Sequence, residues 1–122
     1  MVRRFDHLTI VVLDLARARR FFGLLGFKED LSVVIAGEPF ASYIGVPGIE
    51  ADHVTLVLEG ATPRTEIQLL YYRHPRTLAD PRTGDLHRIG FNHVCFAVDD
   101  IEAEIEKMRR GGFETRSGVA PV

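Results

Sequence analysis

The sequence is poor in several features, and each scarcity excludes a class of protein. Its single cysteine, Cys95, cannot form an internal disulfide, which excludes a disulfide-stapled secreted scaffold and favours a reducing, cytoplasmic setting. No run of about 18 apolar residues is present, so no helix is predicted to cross a membrane. A signal peptide is not expected either, because polar and charged residues between Asp6 and Asp14 interrupt the first apolar run.

Excess charge of one sign is also missing. With 15 basic and 17 acidic residues, the net charge is −2, which gives no support to nucleic-acid binding. Of the 122 residues, 46% are hydrophobic and 26% are charged, as is usual for a globular chain of one domain. The expected partner is therefore a small-molecule substrate rather than a nucleic acid or a membrane.

An internal repeat is the most informative pattern in the chain. The segment Phe5–Leu15, read as FDHLTIVVLDL, returns as Phe91–Ile101, read as FNHVCFAVDDI. The spacing between the copies is unchanged when Gly26-Phe27 returns as Gly112-Phe113. Because the repeat restores a histidine as well as the apolar pattern, it predicts one structural unit used twice, with two imidazoles at one site.

The first copy reads as β-α-β-β-β. Alternation of apolar residues over residues 5–12 predicts a strand, and Asp14 is a suitable N-cap for a helix to about Leu25, which Gly26 ends. Three further strands are predicted after it, and residues 41–44 are interpreted as a short strand or a turn. The three strands are Lys28–Ile35, His53–Glu59 and Thr65–Tyr72.

The second copy reads as β-α-β and is incomplete. We predict a strand over 90–98, then a helix that begins at Asp99 or Asp100, with Glu102 in capping-box position after Asp99. Gly111-Gly112 should end this helix, and residues 113–116 should begin another strand. The predicted organisation is a single domain over 1–122, of the following parts: module one 1–72, linker 73–88 and partial module two 89–122. Because an unpaired sheet edge tends to pair with another chain, we expect a homodimer.

The strand faces opposite the helices carry an unusual density of ligand-type groups. Alternation of side chains along strands places five such groups on these faces, namely His7, His53, Glu66, Gln68 and His93. Imidazole nitrogens with amide or carboxylate oxygens suit a divalent metal such as Zn, Ni, Co or Fe(II), with positions left open for substrate. A lone histidine is more often structural, but the matched positions of His7 and His93 favour ligands. Cys95 is interpreted as a small buried wall residue.

The linker contains several basic side chains, namely Arg73, His74, Arg76, Arg82 and Arg88. We interpret them as a solvated segment, with contact to an anionic cofactor or substrate tail as the alternative. Tyr71 and Tyr72 before them are interpreted as rim packing.

On these residues the chain resembles the glyoxalase/bleomycin-resistance/extradiol-dioxygenase group, the vicinal oxygen chelate superfamily. The resemblance covers nearly the whole chain through three motifs: FDHLTIVV with LLGF, then IQLLYY, then FNHVCFAVDDI. It implies an α+β fold in which paired βαβββ modules curl their mixed sheet into a cup around a divalent metal, with the second module here truncated at its C-terminus.

The resemblance also implies roles for particular residues. His7 and His93 match the first-strand ligands of the two modules, and Gln68 stands where many members have glutamate. Glutamine there is similar to what some methylmalonyl-CoA epimerases carry. A fourth ligand, usually a glutamate on the last strand, has no counterpart before Val122.

The function that the resemblance implies is a metal-dependent lyase, isomerase or epimerase. Such an enzyme polarises a carbonyl and moves an α-proton on a small oxygenated, thioester-linked or thiol-linked substrate. Glu66 and His53 are the expected proton-transfer groups. Two alternatives stay open: an Fe(II) extradiol ring-cleaving dioxygenase, and a metal-free protein that sequesters a ligand in the cup.

Overall fold

The computed structural model describes residues 1–119 of the chain, which divide into two compact units. The first unit is Met1–Thr77, and the second begins at Leu78. All strands found among the described residues lie in the first unit, whereas the second contains a 3-10 turn and one long helix. No helix in the described part of the chain is long and apolar enough to cross a membrane.

The first unit is a four-stranded mixed sheet with one long and one short helix. Across the sheet, the first strand of the chain lies beside the fourth, the fourth beside the third, and the third beside the second; the first and fourth are parallel and the other neighbours are antiparallel. This arrangement confirms the α+β class and the first βαβββ module. The elements are β1 (His7–Val11), α1 (Leu15–Leu24), β2 (Phe27–Ala36), α2 (Phe40–Ile44), β3 (Glu50–Leu58) and β4 (Glu66–His74).

Helix α1 begins and ends at the predicted signals. The Asp14 side chain accepts a hydrogen bond from the Arg17 backbone N–H at 2.9 Å, which satisfies one of the free amides of the first turn. Gly26 has a φ of 100°, a conformation that favours glycine and turns the chain into β2. Local sequence signals therefore fix both ends of this helix.

Residues 41–44 form helix α2, so the strand alternative for this segment was wrong. The backbone N–H groups of Ala41, Tyr43 and Gly45 each donate to the carbonyl four residues earlier. Gly45 then ends the helix with a φ of 80°. Five residues are too few for a helical repeat to be read from the sequence, which is why the pattern was ambiguous.

Both faces of the sheet are partly covered. One face buries Val54, Leu56, Ile67 and Leu69, and helix α1 contacts β2 and β4, with Phe22 packed edge-on against Phe27. This confirms the alternation predicted for β3 and β4. The other face is covered at one end by α2, which packs on a smaller cluster. The buried members of that cluster are Ile35, Ile49, Ala51 and Leu70.

The second unit contains helix α3 (Ile101–Arg110) after a 3-10 turn (Pro81–Gly84). Asp100 is its N-cap, and its side chain accepts from the Ala103 backbone N–H at 3.1 Å. Of the two predicted starts, Asp100 is therefore correct. The capping box from Asp99 to Glu102 was wrong, because Glu102 lies in the first turn of a helix that starts one residue later.

Two strands predicted for the second copy are missing from the described residues. Neither 90–98 nor 113–116 is a strand, so these two predictions were wrong. A strand needs a neighbouring strand with which to exchange backbone hydrogen bonds. Residues 78–119 contain no strand that could be such a neighbour. Cys95 is exposed and not buried, so its assignment as a buried wall residue was also wrong.

Candidate active site

A cavity of about 490 Å³ lies in the first unit, on the sheet face opposite α1. Three of the predicted site residues, His7, His53 and Gln68, line it together. Its remaining walls are Thr9, Ile35, Tyr43, Ile44 and Leu70. The α2 side of the cavity is thus apolar and the β1 side is polar.

Strand register explains why these side chains meet. Parallel pairing sets His7 beside Glu66 and Thr9 beside Gln68, and antiparallel pairing sets His53 opposite Leu70. Because side chains alternate faces, residues that pair in this way project to the same side of the sheet. A shift of one residue in any of these strands would remove its polar groups from the cavity.

His7 presents one ring nitrogen for coordination. Its Nδ1–H donates to Oδ1 of Asp6 at 2.7 Å, since a carboxylate can only accept. This hydrogen bond is the main reason that the pKa of Asp6 lies below its usual value. In a neutral imidazole the lone pair is then on Nε2, and a carboxylate on the other nitrogen is the usual support of a metal-binding histidine.

His93 in the second unit has the same local arrangement. The Nδ2 of Asn92 donates to the Leu86 carbonyl at 2.6 Å, which fixes the orientation of that amide. Its Oδ1 therefore faces Nδ1 of His93, at 2.6 Å, and must accept a proton from it. As with His7, the lone pair of His93 is left on Nε2. The repeat thus preserves the tautomer of the histidine as well as its position.

Gln68 is the centre of the polar network in the cavity. Its Nε2 donates to Oε2 of Glu66 at 2.6 Å, so its Oε1 points the other way. That oxygen accepts from Nε2–H of His53 at 2.9 Å and from the Thr9 hydroxyl at 3.3 Å. His53 consequently has its lone pair on Nδ1, and the Gln68 amide links the two expected proton-transfer groups.

Glu66 is held in place by a chain of charges. Arg64 donates to its Oε1 at 3.0 Å and to Asp30 at 3.0 Å, and these hydrogen bonds raise the pKa of Arg64 above its usual value. Asp30 lies at the register shift of the edge strand β2, between Glu29 and Leu31. The residue at this irregularity thus accepts the hydrogen bond that holds Arg64 beside Glu66. The Glu66 side chain is only 13% exposed, whereas those of Arg64 and Asp30 are 50% and 55% exposed.

The donor set fits a divalent metal. Asp6, His7 and Glu66 each have a ligand atom within 4.8 Å of those of the other two, and nitrogen with carboxylate oxygens suits such an ion. The oxygen of Gln68 already accepts two hydrogen bonds, so coordination by it requires the long bond from Thr9 to open. A metal on this face can therefore use His7 with Glu66, Gln68 or both.

Four residues of this network were missed from the sequence, namely Asp6, Thr9, Arg64 and Asp30. Asp6 was overlooked although its place before His7 is repeated by Asn92 before His93, a signal that could have identified it. Thr9 shares the face of His7, but a threonine on a strand carries no comparable signal. The assignments of His7, Gln68 and His93 as ligands, and of Glu66 and His53 as catalytic groups, stay predictions.

Comparison with known proteins agrees with the repeat and the sheet. The sequence model of the Glyoxalase/Bleomycin resistance protein/Dioxygenase superfamily matches residues 6–122. An ethylmalonyl-CoA/methylmalonyl-CoA epimerase of Cereibacter sphaeroides is 30% identical over 116 residues, covering 92% of this chain and 73% of that protein.

A solved structure is also similar over the whole chain. The crystal structure of a glyoxalase family protein from Bacillus cereus superposes with a TM-score of 0.89 at 25% identity. The alignment covers 100% of this chain and 80% of that one.

Proposed function

We propose that this protein is a metal-dependent epimerase of 2-substituted acyl-CoA thioesters. The proposal starts from the fact that the chain belongs to the Glyoxalase/Bleomycin resistance protein/Dioxygenase superfamily. Two observations support this proposal. One is the 30% identity to an ethylmalonyl-CoA/methylmalonyl-CoA epimerase. The other, which carries most weight, is the Gln68 amide that joins an imidazole to a carboxylate beside His7.

The proposed ligands of the metal are His7, Gln68 and His93. His7 and Gln68 both line the cavity, and His7 presents Nε2. His93 is included on its equivalence to His7 in the repeat and on its matching tautomer. A divalent metal would act as a Lewis acid on the thioester carbonyl and so make the α-proton more acidic.

The proposed proton-transfer groups are His53 and Glu66. Epimerisation needs one group to take the α-proton as the carbonyl bond shifts to an enolate, and another to deliver a proton to the opposite face. Nδ1 of His53 carries a lone pair and can accept the proton. Glu66, protonated, can deliver one, and Gln68 holds the two groups at its opposite ends. The apolar α2 wall would exclude water from the enolate.

Proton exchange tests this function directly. We expect each C2 epimer of methylmalonyl-CoA, incubated with protein and Co²⁺, Zn²⁺ or Ni²⁺ in D₂O, to lose its α-proton signal in the NMR spectrum and to form the other epimer. No exchange with any metal would overturn the proposal. Opening of a catechol ring by the iron-loaded protein would support the dioxygenase alternative in its place.

Variants of the two proton-transfer groups sharpen this test. Glu66→Gln and His53→Asn should each slow interconversion by about 100-fold or more, the usual contribution of a positioned acid or base. Each variant should still exchange the α-proton of one C2 epimer with solvent, and this epimer should be a different one for Glu66→Gln than for His53→Asn. His74→Asn, an exposed histidine at the end of the same strand, is the matched control. Equal rates in all three variants would remove both groups from the mechanism.

We also propose that the protein acts as a homodimer. Strands β1 and β2 are the two edges of the sheet, and β2 exposes Leu31, Val33 and Val34. Unpaired edges with apolar side chains favour pairing with another chain. Gel filtration with light scattering should therefore give twice the mass of the chain at micromolar concentration, and a monomer at every concentration would refute this part.

A further inference from the structure

A second cavity of about 540 Å³ lies in the first unit, towards the carboxyl ends of β1 and β4. The second cavity is lined by guanidinium groups and phenol rings, whereas the polar groups that line the first cavity include two imidazoles and an amide. The residues that line the second cavity are Leu13, Tyr71, Tyr72, Arg73, Arg76 and Thr77. None of them has a role in the proton transfer proposed above.

A strip of sheet connects the two cavities. Side chains alternate along β1 and β4, so the face that carries Thr9 and Gln68 continues two residues later with Val11 and Leu70, which are register partners. The next position of β4 on this face is Tyr72, which lines the second cavity; Leu13, which lies beyond the end of β1, lines that cavity too. Val11 is 49% exposed although it is apolar. A ligand that lies along the strip thus meets polar, apolar and cationic surface in turn.

The two arginines of the second cavity differ in their available charge. Arg73 donates to both carboxylate oxygens of Asp52, at 2.8 and 3.0 Å, and lies 3.6 Å from Glu50, so its charge is already neutralised. These contacts raise the pKa of Arg73. Arg76, by contrast, is exposed and makes no hydrogen bond or ion pair with any residue of the described part, 1–119. Arg76 is therefore the cation that can receive an anion.

The buried hydroxyl of Thr77 is a second indication of a ligand in this cavity. Oγ1 of Thr77 is inaccessible to solvent and has no hydrogen-bond partner among the described residues. A buried polar atom without a partner is costly, so a group that could bond to it after a rotation of the side chain would be favoured. Tyr71 and Tyr72 are half-buried and offer ring surface beside it.

We propose that the second cavity binds the phosphorylated adenosine end of the CoA carrier, while the acyl group lies in the first cavity. Arg76 pairs with phosphate oxygens, as planar guanidinium groups do well, and the tyrosine rings provide stacking surface for the base. The exposed apolar side chain of Val11, between the two cavities, accommodates the flexible arm between the two ends. This inference rests on the proposed function, since it names the part of that substrate which the epimerase chemistry leaves unassigned.

The test compares one substitution on a full and on a shortened substrate. Arg76→Gln should raise KM for the CoA thioester about tenfold and leave kcat unchanged, whereas KM for the corresponding pantetheine thioester, which lacks the nucleotide, should not change. Arg76→Lys should restore part of the loss. Lys28→Gln removes one positive charge at the opposite end of the sheet and is the matched control. An unchanged KM for the CoA thioester, or equal rises for both substrates, would overturn the proposal.

Binding without turnover separates this site from the proposed function. Calorimetry with CoA and with adenosine 3′,5′-bisphosphate should give binding that Arg76→Gln weakens about tenfold and Lys28→Gln does not. If this result holds while no epimerisation is found, the site stands and the function fails. If epimerisation is found but Arg76→Gln binds CoA as tightly as the parent, the function stands and the site fails.

Discussion

Replacing His7 with alanine should lower the affinity of the protein for a divalent metal by about 100-fold or more, because loss of a partner that merely orients a ligand already costs about 10–100-fold. His93→Ala should have an effect of the same size if the two copies contribute equivalent ligands. Titration with Co²⁺ or Zn²⁺ in competition with a chromogenic chelator measures both affinities. His87→Ala, an exposed histidine outside the repeat motifs, serves as the control. Metal binding by both variants as tight as that of the parent would remove the histidines from the site.

Substitution of Asp6 distinguishes an orienting role from a ligand role. Asp6→Asn keeps an oxygen acceptor for Nδ1 of His7, as Asn92 does for His93, so it should leave metal affinity nearly unchanged if Asp6 only orients the ring. Asp6→Ala removes that acceptor and should weaken binding about 10–100-fold. A large loss in Asp6→Asn as well would identify the Asp6 carboxylate as a ligand itself.

The second large effect concerns stability. Leu69→Ala should lower the free energy of unfolding by about 2–5 kcal/mol, the range measured for buried leucines that leave a cavity. Leu69 is 0% exposed and lies in β4, between two strands and under α1, so neighbouring groups cannot easily close the space. Equilibrium unfolding in urea, followed by circular dichroism, gives the value.

Leu31→Ala is the matched control for that measurement. Leu31 belongs to the same sheet, but it is 54% exposed on the edge strand β2, so in the dissociated monomer its truncation should change the free energy of unfolding by no more than about 0.5 kcal/mol. The contrast tests whether burial, rather than residue type, sets the cost. A similar loss in both variants would mean that the exposed edge of β2 is covered in solution, as the proposed dimer would require.

The sequence predicted those parts of the fold that depend on local patterns. The period of two placed Val54, Leu56, Ile67 and Leu69 on one face, and Asp14 and Gly26 marked the ends of α1, because each of these signals involves groups within a few residues of one another. Helix α2 was missed because five residues are too short for periodicity to be evident. The strand at 90–98 was wrong, since strand formation depends on a neighbour that the segment itself does not encode.

The candidate site was only partly predictable, for a related reason. The repeat identified His7 and His93, and alternation placed His53, Glu66 and Gln68 on the cavity face. Their hydrogen bonds could not be predicted, because they depend on the register between strands that are distant in the sequence. The contact of Thr9 with Gln68 joins residues 59 positions apart, and the pairing of Arg64 with Asp30 joins residues 34 apart.

Strand β1 has a single neighbour in the sheet, β4, with five residues in register. An edge strand with one set of ladder bonds is a natural site of local unfolding, and His7 and Thr9 leave the cavity whenever β1 detaches. Any ligand that needs His7 binds only the closed form, so it shifts the opening equilibrium by mass action. Ligand binding should therefore slow the exchange of the backbone amide hydrogens of β1, and this slowing would report that the cavity is occupied.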